Sequence, residues 1–391
     1  MGGSIQIFDD ILKADQNLKV DVKCNRGQTA LHYAIRERKV DMSIYLISHF
    51  AELLSSIKID TGQRPEIHRD TKKQITPRFE PIHWIAWIGN LQILETLKRK
   101  NGKTSFDMAK TTINELNILH IACLANENDF CKHVMKNETQ IDIDITDNCG
   151  WNVAHYAARA NNSAFFKILK QFKKENLIEI RTKCKKTTLH IACEYASEKV
   201  VDYLLENHKT LLDKTDELKW NALHYATKGG NLSILKKIIH NGLNVGSLTN
   251  EEKTLLHVAC IHKQVDICRY VAEKFVKTNQ SALINKKTTN YGWLAAHYLG
   301  VERKGNGREE AILDILYDYK MDLKDETDDG HSILDIALEH FNEGLVNYIL
   351  SAKYIEAMDI SKQKLQKAER DARNEEIKAS LRRALETFKW H

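Results

Sequence analysis

The sequence predicts an all-α repeat array. Three observations predict it. First, a short apolar phrase built around a histidine keeps returning: "TALHYA" (His32), "PIHWIA" (His83), "NILHIA" (His120), "NVAHYA" (His155), "TTLHIA" (His190), "NALHYA" (His224), "TLLHVA" (His257) and "LAAHYL" (His297). A ninth copy, "SILDIA", carries Asp335 in the slot. The slots lie 51, 37, 35, 35, 34, 33, 40 and 38 residues apart, and a repeat in the range of about 20–50 residues marks stacked units. Second, apolar residues at helical spacing follow the phrase, as in Val200, Val201, Tyr203, Leu204 and Leu205, or Leu232, Ile234, Leu235, Ile238 and Ile239. Third, turn signals such as "DNCG" from Asp147 and "TDDG" from Thr327 precede several copies.

Bulk properties fit a foldable chain. Of 391 residues, 42% are hydrophobic and 28% charged, and the mean hydropathy is -0.45. No apolar run is long enough for a membrane span. The first residues lack a basic start followed by an apolar core, so no secretory signal is expected. Gln6 stands where a myristoylation motif wants Ser or Thr. The net charge is +5, and Ser361–His391 supplies most of it with nine Lys/Arg against five Asp/Glu. A nearly neutral body argues against nucleic acid as a partner. Eight cysteines form no CxxC pair and read as reduced core thiols of a cytoplasmic chain; a nuclear chain, or one delivered into a host cell, fits as well.

Nine phrases in register resemble the T-P-L-H-x-A signature of the ankyrin repeat, over about Val20 to Ala352. The resemblance implies an ankyrin-repeat solenoid: helix-turn-helix units with short β-hairpin fingers, stacked around a concave surface. Within each unit, Thr29, Thr187 and Thr254 stand where a hydroxyl caps the first helix. Leu31, Leu189, Leu223 and Leu256 are its apolar knobs, and Ala34, Ala122, Ala157, Ala192, Ala226 and Ala259 keep its face thin. An imidazole three residues after the cap reaches the cap on one side and a backbone carbonyl on the other. The slot histidines are therefore read as architecture, not as metal ligands, which must converge.

In chain order, residues 1–22 read as a capping half-repeat, 23–357 as the array and 358–391 as a basic amphipathic helix. The first long gap holds an inserted polar loop near 57–74, with Pro65 before Pro77 and with Pro81 at a helix start. Gly242 reads as the C-cap of a second helix. "GNGREE" in the eighth repeat lacks the strand–loop–helix frame of a phosphate site. Cys123 and Cys131, and likewise Cys260 and Cys268, sit eight apart, which puts one thiol on each helix of a repeat. From Ser361 the stripe Leu365, Ala368, Ala372, Ile377, Leu381, Ala384, Leu385 and Phe388 suits a cap on the last repeat, a helix partner or an acidic surface.

A two-repeat alternation runs through the array. Four residues before the slot, even repeats carry Phe79, Trp151, Trp220 and Trp293, while odd ones carry Gln28, Leu116, Lys186, Lys253 and His331. Either a two-repeat block was duplicated, with each Trp packing on a neighbouring finger, or the aromatics anchor a partner, as Trp and Tyr favour. The resemblance places further concave residues four or five after each slot: Trp87, Arg159, Tyr195, Lys228 and His262.

No nucleotide, nucleophile-elbow or zinc-protease motif occurs. The sequence assigns no catalytic residue, no cofactor and no metal ligand. The expected function is a non-catalytic scaffold holding a protein partner in the concave groove. The alternatives are an effector of an intracellular microbe acting on host proteins and a cytosolic regulatory module of a membrane-associated complex.

Overall fold

The computed structural model describes residues 3–14, 22, 29–50, 81–100, 107–301 and 307–388. Phe79, Gln28, Pro65, Pro77 and the 57–74 insertion lie outside the described residues. Two compact units divide the chain, Met1–Thr188 and Leu189–His391.

The first unit begins with helix Gly3–Ala14. Its Phe8 ring meets Tyr45 and Phe50 edge-on at 6.2 and 6.3 Å, and Asp9 accepts a hydrogen bond from the Tyr45 hydroxyl. Helix pairs follow: Ala30–Arg36 with Val40–His49, Pro81–Ile88 with Leu91–Lys100, Ile118–Leu124 with Asn128–Asn137, and Val153–Arg159 with Ser163–Gln171. The second unit holds Thr188–Glu194 with Glu198–Asn207, Ala222–Gly229 with Leu232–His240, and Leu255–Ile261 with Val265–Lys277. Its eighth repeat replaces the first helix by a 3-10 turn, Ala295–Leu299, before helix Arg308–Asp318. The ninth pairs Ile333–Glu339 with Glu343–Ile349.

The first helices are short and almost wholly buried. Leu31, Leu223 and Leu256 are 0% exposed, and Ala122, Ala157, Ala192, Ala226 and Ala259 likewise. A small side chain there lets helix backbones approach. Gly229 shows the limit in the second unit: a Cβ on it would stand 2.4 Å from the Cys193 carbonyl oxygen.

Among the described residues, left-handed residues recur at two positions of the repeat and set the turns. Six residues after the slot come Arg38, Gly89, Asn126, Asn161, Ala196, Gly230, Lys263 and Phe341, with φ from 53 to 73°. The second position ends each finger: Glu115, Gly150, Lys185, Lys219, Glu252, Gly292 and Gly330, with φ from 57 to 79°. Only a few of these are glycine, so packing offsets the roughly 1 kcal/mol that each non-glycine residue costs there.

Three sequence expectations need correction. Among the described residues the fingers are hydrogen-bonded turns and no strand forms: within each unit neighbouring fingers share single backbone bonds, and a left-handed residue ends the extended stretch. Capping is done by Asn117, Asn152 and Asn221 as well as by Thr29 and Thr254. The C-terminal segment is two helices, Lys362–Asp371 and Glu375–Thr387, instead of one. Ala372 turns extended, and Asn374 restarts the helix by accepting from the Glu376 and Ile377 amides. The break lets Leu365, Ile377 and Leu381 all bury, at 0, 1 and 0% exposure, with the second helix against Glu343–Ile349.

Candidate interaction surface

Each finger is built from a side chain at its base. In the first unit, Asp147 Oδ1 accepts from the Cys149 and Trp151 amides at 2.8 Å, and its Oδ2 accepts from the Tyr156 hydroxyl at 2.6 Å. Asp216 does the same in the second unit, with the Leu218 and Trp220 amides and the Tyr225 hydroxyl. Odd repeats use a threonine: the Thr112, Thr182, Thr249 and Thr327 hydroxyls accept from the amides of Leu116, Lys186, Lys253 and His331.

The fingers then join by main-chain bonds. In the first unit the Asn148 amide donates to Asn114 O and the Lys183 amide to Cys149 O, at 3.2 and 3.0 Å. A Cβ at Gly150 would come 2.7 Å from the Lys183 nitrogen, so this crossing needs glycine. In the second unit Asn250 donates to Leu218 O, Thr289 to Glu251 O and Asp328 to Tyr291 O, at 3.0–3.1 Å. The tips stay open: Ile113, Leu218 and Tyr291 are 49, 52 and 60% exposed.

The slot histidines hold finger to helix. The cap residue's own amide donates to Nδ1, at 3.0 Å for Thr29 and His32, 3.1 Å for Thr254 and His257, and 2.9 Å for Leu294 and His297. Because the donor is backbone, even Leu294 serves as a cap. Nδ1 is thus the acceptor and Nε2 keeps the proton. Nε2 donates to a carbonyl one finger on: Lys110 for His83, Lys214 for His190 and Trp293 for His257, at 3.0–3.1 Å. The imidazoles are neutral. Burial lowers His83, His120, His155, His224, His257 and His297 from 6.5 to about 4.

The alternating tryptophans pack on rings of their own repeats. Trp151 stands 5.4 Å from the Tyr156 ring, Trp220 5.5 Å from Tyr225 and Trp293 4.8 Å from Tyr298, each also beside its slot histidine. Trp151 is 3% exposed, so it has no face left for a partner. Trp220 and Trp293 are half-buried. So are Trp87 and Arg159 in the first unit, and Tyr195, Lys228 and His262 in the second. Lys228 pairs with Glu194 at 2.5 Å. Burial, with Lys228 nearby, brings His262 to about 4.

Sequence reasoning missed the base carboxylates. Their signal was present: an Asp eight residues before the slot and a Tyr one after it, in repeats four and six only. It also missed Lys263, which is 5% exposed. Its ammonium donates to Tyr298 O and Leu299 O at 3.1 and 3.3 Å, and lies 3.9 Å from the buried Glu309 carboxylate. This cation fastens the end of the 3-10 turn. The Cys123 and Cys131 sulfurs sit 3.8 Å apart in the core. Burial, then the bond to Cys131, pushes the Cys123 thiol well up, away from the reactive thiolate.

Helix pairs joined by hydrogen-bonded fingers, with an imidazole in the slot of every copy but the ninth, define a repeat protein. A family profile described as ankyrin repeats in three copies matches residues 82–179, 119–216, 167–247, 190–282 and 223–300, and a single-repeat profile matches 26–56. The chain belongs to the ankyrin-repeat family. The match ends at residue 300, while the helix pair Ile333–Glu339 and Glu343–Ile349 continues the pattern beyond it. A comparison with curated proteins found no match. Among the described residues no helix is long and apolar enough to cross a membrane.

Proposed function

We propose that the chain is a non-catalytic scaffold that binds a protein partner through its fingers and the exposed ends of its first helices. Ankyrin repeats in general mediate protein–protein interaction. One observation carries the reading for this chain: apolar tips, Leu218 and Tyr291 above all, are left exposed on fingers held by hydrogen bonds at their base and to a neighbouring finger. A rigid frame loses little entropy on binding, and exposed aromatic and aliphatic side chains supply contact energy.

In the second unit the contact set is Leu218, Trp220, Tyr291 and Trp293 with Tyr195 and Lys228; in the first it is Trp87 and Arg159. Trp151 is left out as a packing residue. The test is a quantitative pull-down of the wild type beside Leu218→Ser/Tyr291→Ser, both with unchanged circular dichroism. Partners that bind through the fingers fall at least about tenfold, one hot spot's worth of energy. Equal recovery by both proteins rejects the finger surface.

A further inference from the structure

Outside the fingers, one cluster in the first unit converges on a point. Glu95 lies on helix Leu91–Lys100, His133 on helix Asn128–Asn137, and Glu138 caps that second helix. His133 Nε2 is 3.1 Å from Glu95 Oε1 and 3.8 Å from Glu138 Oε1, and all three ligand atoms lie within 4.8 Å of one another. Ligands about 2.0–2.2 Å from a tetrahedral ion stand roughly 3.3–3.6 Å apart, so the spacing needs only small side-chain adjustments. The Lys98 ammonium sits between the carboxylates, 2.6 Å from Glu138 and 3.3 Å from Glu95.

We propose that Glu95, His133 and Glu138 form a site for a zinc-class divalent ion, whose place the Lys98 ammonium holds in the metal-free chain. Charge favours the exchange. Two carboxylates facing one ammonium carry an excess of negative charge, which a divalent ion cancels. Glu138 raises the stakes, because its side chain is only 3% exposed and its anion cannot rely on water. An outer shell is in place: the Gln140 amide donates to the other Glu138 oxygen at 3.2 Å, and Asn137 bonds His133 Nδ1 at 3.2 Å. On binding, Lys98 swings to solvent still protonated. His133 meets the ion through Nε2, and the Asn137 amide turns its oxygen to accept the Nδ1 proton. One nitrogen and two carboxylate oxygens select zinc and its first-row neighbours over magnesium and calcium, which prefer all-oxygen shells. The fourth position is left for water.

The experiment is calorimetric titration of the full chain with zinc chloride, with magnesium chloride as control. Wild type takes up zinc at one site that His133→Ala weakens at least about tenfold, while Lys98→Met, which removes the competing cation, tightens it by a similar factor. Lys98→Gln repeats the second arm if the methionine variant fails to fold by circular dichroism. The proposal falls if His133→Ala binds as wild type does, since the ion then sits among other histidines. It falls equally if neither Lys98 variant binds more tightly, or if zinc is not taken up.

Discussion

At the scale of single residues, His257 does two jobs with one neutral ring. Its Nδ1 satisfies the cap amide and its Nε2 satisfies a carbonyl one finger on. His257→Ala leaves both groups buried and opens a cavity. The expected loss is about 2–4 kcal/mol in urea denaturation; an unchanged midpoint would discard the stapling role. The same rings impose a pH dependence. An unfolded imidazole takes its proton near 6.5 and a folded one only near 4. Between these values the unfolded state binds more protons, so stability falls as pH drops from 6.5 toward 4 and loses nothing further from this source below it. A tenfold difference in proton affinity between the two states corresponds to about 1.4 kcal/mol. Thermal melts from pH 7.5 to 4.5 check the slope, and a flat series contradicts it.

Elements explain what the residues could and could not foretell. Helix positions were legible because the phrase, its alanines and the following stripe are local patterns. The finger geometry was not, since it depends on a left-handed residue that is glycine in only some repeats. Ala196 is one such exception, at φ 55. Ala196→Gly removes the steric cost and gains up to about 1 kcal/mol, less the entropy of a freer unfolded chain; a lowered melting temperature would contradict the assignment. The 3-10 turn of repeat eight was equally unreadable, because its anchor, Lys263, comes from the preceding repeat. Lys263→Met removes both carbonyl bonds and the cation beside the Glu309 carboxylate and costs about 3–5 kcal/mol. Asp335 breaks the histidine pattern, yet it is a substitution with a partner. Its carboxylate accepts from the Ser332 hydroxyl and amide at 2.6 and 2.8 Å and pairs with Lys364 of the C-terminal hairpin at 2.9 Å. Burial alone would raise Asp335, but those bonds outweigh it and hold the carboxyl below its ordinary value.

For the molecule as a whole, the alternation that reads as a partner ladder has a structural basis. Asp, Tyr and Trp recur together in repeats four and six because the Tyr hydroxyl needs the carboxylate and the Trp needs the Tyr ring. From sequence alone the Trp is visible and its burial is not, which is why Trp151 and Trp220 look alike there and differ in the fold. The C-terminal hairpin covers the end of the second unit. Deleting 361–391 uncovers the apolar surface under Leu365, Ile377 and Leu381 and should lower solubility and raise dye binding; a truncated chain as soluble as wild type would show that the hairpin covers nothing that matters.

The main-chain bonds between fingers carry one more consequence. Loops ordinarily trade their amide protons with heavy water within seconds, whereas Asn148, Lys183, Asn250, Thr289 and Asp328 each lend theirs to a neighbouring loop. Exchange mass spectrometry should therefore find five slow sites strung along segments that a sequence reader would mark as coil, and their clocks should speed up together whenever an adjoining repeat frays.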